Sequence, residues 1–124
     1  MNYHTYGNHL VQPFGYIPDL YPADSAQYSI YGNALTAENN YHVGPPNQTV
    51  NYVVNGNSDD WMYGEQALKP KIFAWTPEVG LQTDGFWPAP DRIIPLANDN
   101  IYANLMLPKL ATKYARVTHN EDLN

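Results

Sequence analysis

The chain has 124 residues, 44% apolar and 14% aromatic, which suits one domain with a sizeable core and excludes wholesale disorder. Twelve acids against six bases leave a net charge of -6, and no Lys/Arg stripe relieves it, so nucleic acid and anionic membrane surfaces are poor partners. With no cysteine, disulfides and thiolate metal ligands are excluded; no run approaches the roughly 20 apolar residues of a membrane helix, and the opening MNYHTYGNHL does not pair a basic region with an apolar run, so no export signal is expected in it.

In chain order, MNYHTYG reads as a short strand entering a turn. HLVQPFGYIPDLYPAD follows as a loop, because Pro13, Pro18 and Pro22 each fix φ and remove a donor. From Asp24, a candidate N-cap, DSAQYSIYGNALTAEN spaces Ala26, Ile30, Ala34 and Ala37 helically, and the GPP after His42 closes that helix. Gly32 within it costs about 1 kcal/mol relative to Ala. TVNYVV has the β-branched composition of a strand, ends in the turn residues NGNS, and leads into DDWMYGEQAL, which has room for one or two helical turns. KIFAWTPEVG reads as a second strand with Pro77 near its end, LQTDGFWPAPDR as a loop, and NDNIYANLMLPKLATKYARV as a helix that Pro108 kinks or interrupts. Residues 118–124 form a polar tail.

The chemistry-bearing residues fall at the ends of these strands. His4 and Tyr6 follow the first, Tyr52 precedes the Gly-rich turn, Asp59 and Asp60 adjoin Trp61, and Glu78 closes an apolar run. Each has an ordinary structural reading: a surface histidine, one tyrosine among eleven, a simple turn. Glu78 stands apart, because a carboxylate ending a run of Ile, Phe, Ala and Trp is partly desolvated, which raises its pKa towards the range of a general base. A helix cap or salt bridge is the alternative use for it. The paired aspartates pose their own question, since like charges beside a large apolar ring suit the wall of a pocket better than a free loop or a core.

In order along the chain, YHTYGN, QPFGY, YVVNGNSDDWMYG, FAWTPEVG and DGFWPAPDRIIPLANDN resemble the C-terminal half of zinc metallocarboxypeptidases of the funnelin (M14) type. The resemblance runs from about Asn2 to Tyr114 and implies part of a mixed-sheet, three-layer αβα fold occupying residues 1–117. It further implies His4 as one zinc ligand, Glu78 as general base and acid, Tyr52 as a loop tyrosine closing over the substrate's terminal carboxylate, and Tyr6 lining the adjacent subsite. Asp59 would sit at the floor of the pocket for the C-terminal side chain, favouring Lys or Arg, and Asp60 would be structural. The His-x-x-Glu segment that supplies two further zinc ligands in such enzymes is not in the sequence, nor are the arginines that bind the substrate carboxylate. The expectation is therefore an expressed piece beginning at Asn2 with an added Met1: inactive alone, weak or empty in zinc, prone to self-association, and drawn from a secreted or periplasmic parent that trims peptide C-termini. Two other readings stay open. One is a non-catalytic carbohydrate- or peptide-binding module using DGFW, DDW and the tyrosines as an aromatic platform, and the other is a catalytically dead relative that binds peptides.

Overall fold

A computed structural model describes residues 1–121, with side chains through residue 111. Three short strands, β1 (His9–Val11), β2 (His42–Gly44) and β3 (Thr76–Glu78), form a mixed sheet in the order β2-β1-β3. β1 runs parallel to β2 and antiparallel to β3. Three helices accompany it: α1 (Ser25–Leu35), α2 (Ser58–Gly64) and α3 (Ile93–Glu121), the last entered through a 3-10 turn at Pro90–Arg92.

The opening MNYHTYG forms no named strand and instead lies along the β3 segment. The Asn2 N–H donates to the Trp75 carbonyl, His4 N–H to Pro77, and Val79 N–H to His4. Pro77 sits in the middle of β3. Its carbonyl, and with it the nitrogen that carries no hydrogen, faces the 2–4 segment, so the proline leaves the β1 ladder intact.

TVNYVV is not a strand. The prolines at 45 and 46 start a succession of turns in which Thr49 N–H and Oγ1 both donate to the Pro45 carbonyl and Asn51 N–H donates to Pro46. Here turn hydrogen bonding overrides β-branched propensity. The strand forms earlier, at His42–Gly44.

α1 forms in the stretch read as helical but ends at Leu35, well before the GPP, and it buries Tyr28, Gly32 and Leu35 rather than the expected stripe of Ala26, Ile30, Ala34 and Ala37, with Ile30 61% exposed. Asp24 makes no side-chain cap. Its carboxylate accepts from the Tyr63 hydroxyl at 2.8 Å and pairs with the Lys71 ammonium, tying the start of α1 to α2 and to the approach to β3. Gly32 is explained by packing: a Cβ there would lie 2.5 Å from Val43 Cγ1, so the missing side chain lets α1 settle on β2.

The core joins Leu10 of β1, Tyr28 and Leu35 of α1, Tyr63 of α2, Tyr41 and Trp75. The Tyr28 ring meets Trp75 and Tyr63 edge-on at 5.0 and 5.4 Å, an arrangement that aromatic quadrupoles favour. α3 starts earlier than the apolar pattern suggests and runs through Pro108 without ending. Tail residues 122–124 lie outside the described residues. Arg92 holds the preceding loop through a two-point pair with Asp84, at 2.6 and 3.0 Å.

Candidate functional site

Sheet register assembles the site. Glu78 is the direct partner of His9 across β1–β3, and His9 of His42 across β1–β2, while His4 bridges to Glu78 from the other side. Direct partners point to the same face of a sheet, so three histidines and one glutamate form a row across consecutive strands. His4 Nδ1 lies 3.8 Å from Glu78 Oε1. The His4 side chain is half exposed and that of Glu78 largely buried.

Burial pushes the Glu78 carboxyl above its ordinary value, and the neighbouring His4 opposes the rise. In contact with a cleft, such a group can exchange a proton with a molecule in it. A cleft of about 400 Å³ provides that contact, lined by Tyr6, His9, Asn51, Tyr52, Glu78 and Phe86 among others. Tyr6 is braced edge-on against Phe86 at 5.0 Å. Tyr52 stands on the turn succession and is 61% exposed.

Asp59 is not among the residues lining this cleft. It is 1% exposed in the first turn of α2, and neither carboxylate oxygen has a well-aligned hydrogen-bond partner. Desolvation first, and the Asp60 charge second, push its pKa up to about 6. The nearby amides of residues 59 and 60 and the His4 charge offset only part of that rise. Asp60 is used differently, since both its oxygens accept from Gly15 N–H at 3.0 Å and fasten the proline-rich loop to α2. Trp61 stays more than half exposed beneath the Lys69 ammonium, which lies 4.8 Å from its ring centre. The adjacent acids and the tryptophan thus point three ways, one into the interior, one to a backbone amide and one to solvent.

Residues 1–103 match Peptidase_M14, the zinc carboxypeptidases. The chain belongs to this family. It is 28% identical over 119 residues to metallocarboxypeptidase A of Arthroderma otae (strain ATCC MYA-4605 / CBS 113480), a match covering 91% of this chain and 28% of that protein. Bovine thrombin-activatable fibrinolysis inhibitor, solved in complex with tick carboxypeptidase inhibitor, shares the fold with a TM-score of 0.77 at 20% identity, over 90% of this chain and 38% of that one. The chain therefore spans well under half the length of these relatives, and its mixed α/β architecture is that of the zinc carboxypeptidase fold.

Among the described residues, no three His, Cys, Asp or Glu side chains converge as a metal-binding group. Of the candidates named from the sequence, Tyr6, Tyr52 and Glu78 meet on the one cleft with His4 beside Glu78, while Asp59 is buried and does not line it. Sequence reasoning passed over His9, whose ring packs so closely on Gly7 that a Cβ there would sit 2.6 Å from His9 Cδ2. No local signal pointed to it, because three residues, HLV, are too few to show strand alternation.

Proposed function

We propose that this chain is the part of a zinc metallocarboxypeptidase catalytic domain that carries the general base and much of the substrate cleft. The longer protein would remove C-terminal residues from peptides and proteins outside the cell or in the periplasm. One observation carries the reading: in a family member, the sheet aligns His4 with Glu78, and Glu78 opens with Tyr6 and Tyr52 onto a single cleft.

His4 would hold the zinc ion together with ligands from elsewhere in the longer protein, because among the described residues no three His, Cys, Asp or Glu side chains converge. Bound there, zinc would supply Lewis acidity beside the scissile carbonyl. Glu78, its proton affinity raised by burial, takes a proton from water in the cleft and returns it to the leaving amine, a role worth roughly 10²- to 10⁴-fold in rate. Tyr52 closes over the substrate's terminal carboxylate, and Tyr6 lines the neighbouring subsite. Asp59 presents an unpaired, desolvated carboxylate towards which a Lys or Arg terminus is drawn, since a buried acid gains most from a partner that neutralises it.

The test is Glu78→Gln in the longer protein. Zinc content should hold while kcat falls by at least about 10²-fold; near-normal kcat would make the glutamate structural. Specificity is tested separately with matched peptides ending in Arg and Phe. Asp59→Ile should move the ratio of kcat/KM towards Phe by about 1 to 3 kcal/mol, and an unchanged ratio would remove Asp59 from substrate recognition.

A further inference from the structure

A second recess of about 220 Å³, sharing no lining residue with the catalytic cleft, lies between α1, β2 and the loop before α1. Its near rim is a polar stripe of α1 in which Ser25, Ser29 and Asn33 follow one another at single-turn spacing. Across from them stand Tyr21 and Gln48, joined by a 2.9 Å hydrogen bond from Gln48 Nε2 to the Tyr21 hydroxyl. Gly44 keeps the base open, since a Cβ there would lie 3.3 Å from Gln48 Oε1. Gln12 forms the floor. It is 7% exposed, and its Oε1 has no hydrogen-bond partner.

Chemistry narrows what fits. No acidic or basic residue lines the recess, so a charged ligand would be desolvated without a counter-charge. An apolar ligand would strand the amides and hydroxyls that converge there, at the cost of each unmade hydrogen bond. The Ser25 hydroxyl and the Asn33 amide have no partner among the described residues, and Ser29 spends its proton on the Ser25 carbonyl, leaving its oxygen able to accept. The volume is below the roughly 300–1,000 Å³ of pockets for drug-sized molecules, and equals about seven waters at ~30 Å³ each. Tyr21, 44% exposed, adds an aromatic face to this ring of neutral donors and acceptors.

We propose that the recess is a binding site for one neutral sugar ring, a monosaccharide or the terminal unit of a glycan, separate from the peptidase cleft. The sugar's hydroxyls donate to Gln12 Oε1 and exchange hydrogen bonds with Ser25, Ser29 and Asn33, while a C–H face lies against Tyr21. Oε1 lies just under the recess surface. Rotation about the soft terminal torsion of the Gln12 side chain brings it to the ligand.

The site uses nothing from the catalytic row, so this chain is tested as it stands. Amide chemical shifts are followed by NMR while glucose, galactose, mannose and N-acetylglucosamine are titrated in turn, with glucuronate and cyclohexanol as charged and apolar controls. At least one neutral sugar should shift Gln12, Ser29 and Gly44 saturably, and Gln12→Leu should weaken binding about tenfold or more, as loss of a buried hydrogen bond does. Ser29→Leu, on the exposed side of α1, should do the same without touching the fold and so stands in should Gln12→Leu fail to fold. A matching oligosaccharide that binds more tightly than its terminal monosaccharide identifies the glycan as the ligand; equal affinity identifies the free sugar. The proposal is overturned if no neutral sugar saturates the recess, if both controls bind as well as the sugars, or if the folded variants bind unchanged.

Discussion

Asp59 carries the least solvated charge in the molecule's described part: 1% exposed, unpaired, with a pKa of about 6 against 3.8 for an ordinary aspartate. Because the folded state holds the proton more tightly than the unfolded chain, ionisation of this residue costs nothing below about pH 4. Stability falls as the pH rises from there to about 6 and stays reduced above it. At ~1.4 kcal/mol per pH unit, the full cost is about 3 kcal/mol. Asp59→Asn should therefore stabilise the fold at pH 7.5 and give little or no gain at pH 4, read from urea midpoints at the two values. An equal effect at both would mean that the carboxylate is better solvated than its surroundings show. A Lys or Arg terminus reaching Asp59 would relieve the same cost, which keeps the residue a candidate for specificity despite its absence from the cleft wall. Among the other candidate residues only Glu78 stood out in the sequence for a physical reason, since a carboxylate ending an apolar run announces its own desolvation; His4, Tyr6 and Tyr52 came with the family resemblance. His9 was not legible, because its place in the row depends on register with β2 and β3, which local composition does not encode.

Among the elements, the three helices were legible and the sheet was not. DSAQYSIYGNAL and NDNIYANLML do form α1 and α3, but not on the faces the apolar spacing suggests, since Ile30, Ile101 and Leu105 are exposed while Tyr28, Leu35, Leu96 and Ala103 are buried, whereas strands of three residues each are too short to show a period. TVNYVV also misled, because the prolines preceding it dictate turns. Gly32 gives the sharpest check on what packing adds to propensity. Helix propensity alone says that Gly32→Ala should stabilise α1 by about 1 kcal/mol. Contact with Val43 reverses the sign: the added methyl meets a stiff β-branched side chain at 2.5 Å, and overpacking of this kind costs typically about 1–3 kcal/mol. Thermal melting should show Gly32→Ala less stable than the parent, and a Gly32→Ala, Val43→Ala double variant should recover part of the loss. If Gly32→Ala melts higher, α1 sits further from β2 than described. Pro108 offers the opposite case. In the interior of α3 its nitrogen carries no hydrogen to donate along the helix, so Pro108→Ala should raise far-UV helicity and stability, by up to about 3 kcal/mol.

At the scale of the whole molecule, apolar surface outruns what one small domain covers. Trp87 is 95% exposed, Phe86 77%, Ile94 67% and Leu105 63%, spread over the loop before α3 and along that helix. Surface of this kind favours association, and light scattering on the isolated chain should find a dimer or larger species; a monomer at high concentration would show that the patches are too scattered to join. Zinc should bind the chain more weakly than micromolar by calorimetry, since one histidine makes no closed site, and tight binding lost in His4→Ala would contradict the ligand set proposed. The sheet also sets how this site comes into being. Every rung joins distant parts of the chain, and the Gly80 N–H bond to Asn8 Oδ1 spans 72 residues. Loop-closure entropy must be met before any such contact is rewarded. During synthesis His4 and β1 emerge long before their partners, so the chain passes through a period in which the helices can form while the row of histidines and glutamate does not exist. Folding should accordingly be slow for the chain's size, with α1 structured ahead of the sheet, and the residues proposed for chemistry are the last to meet.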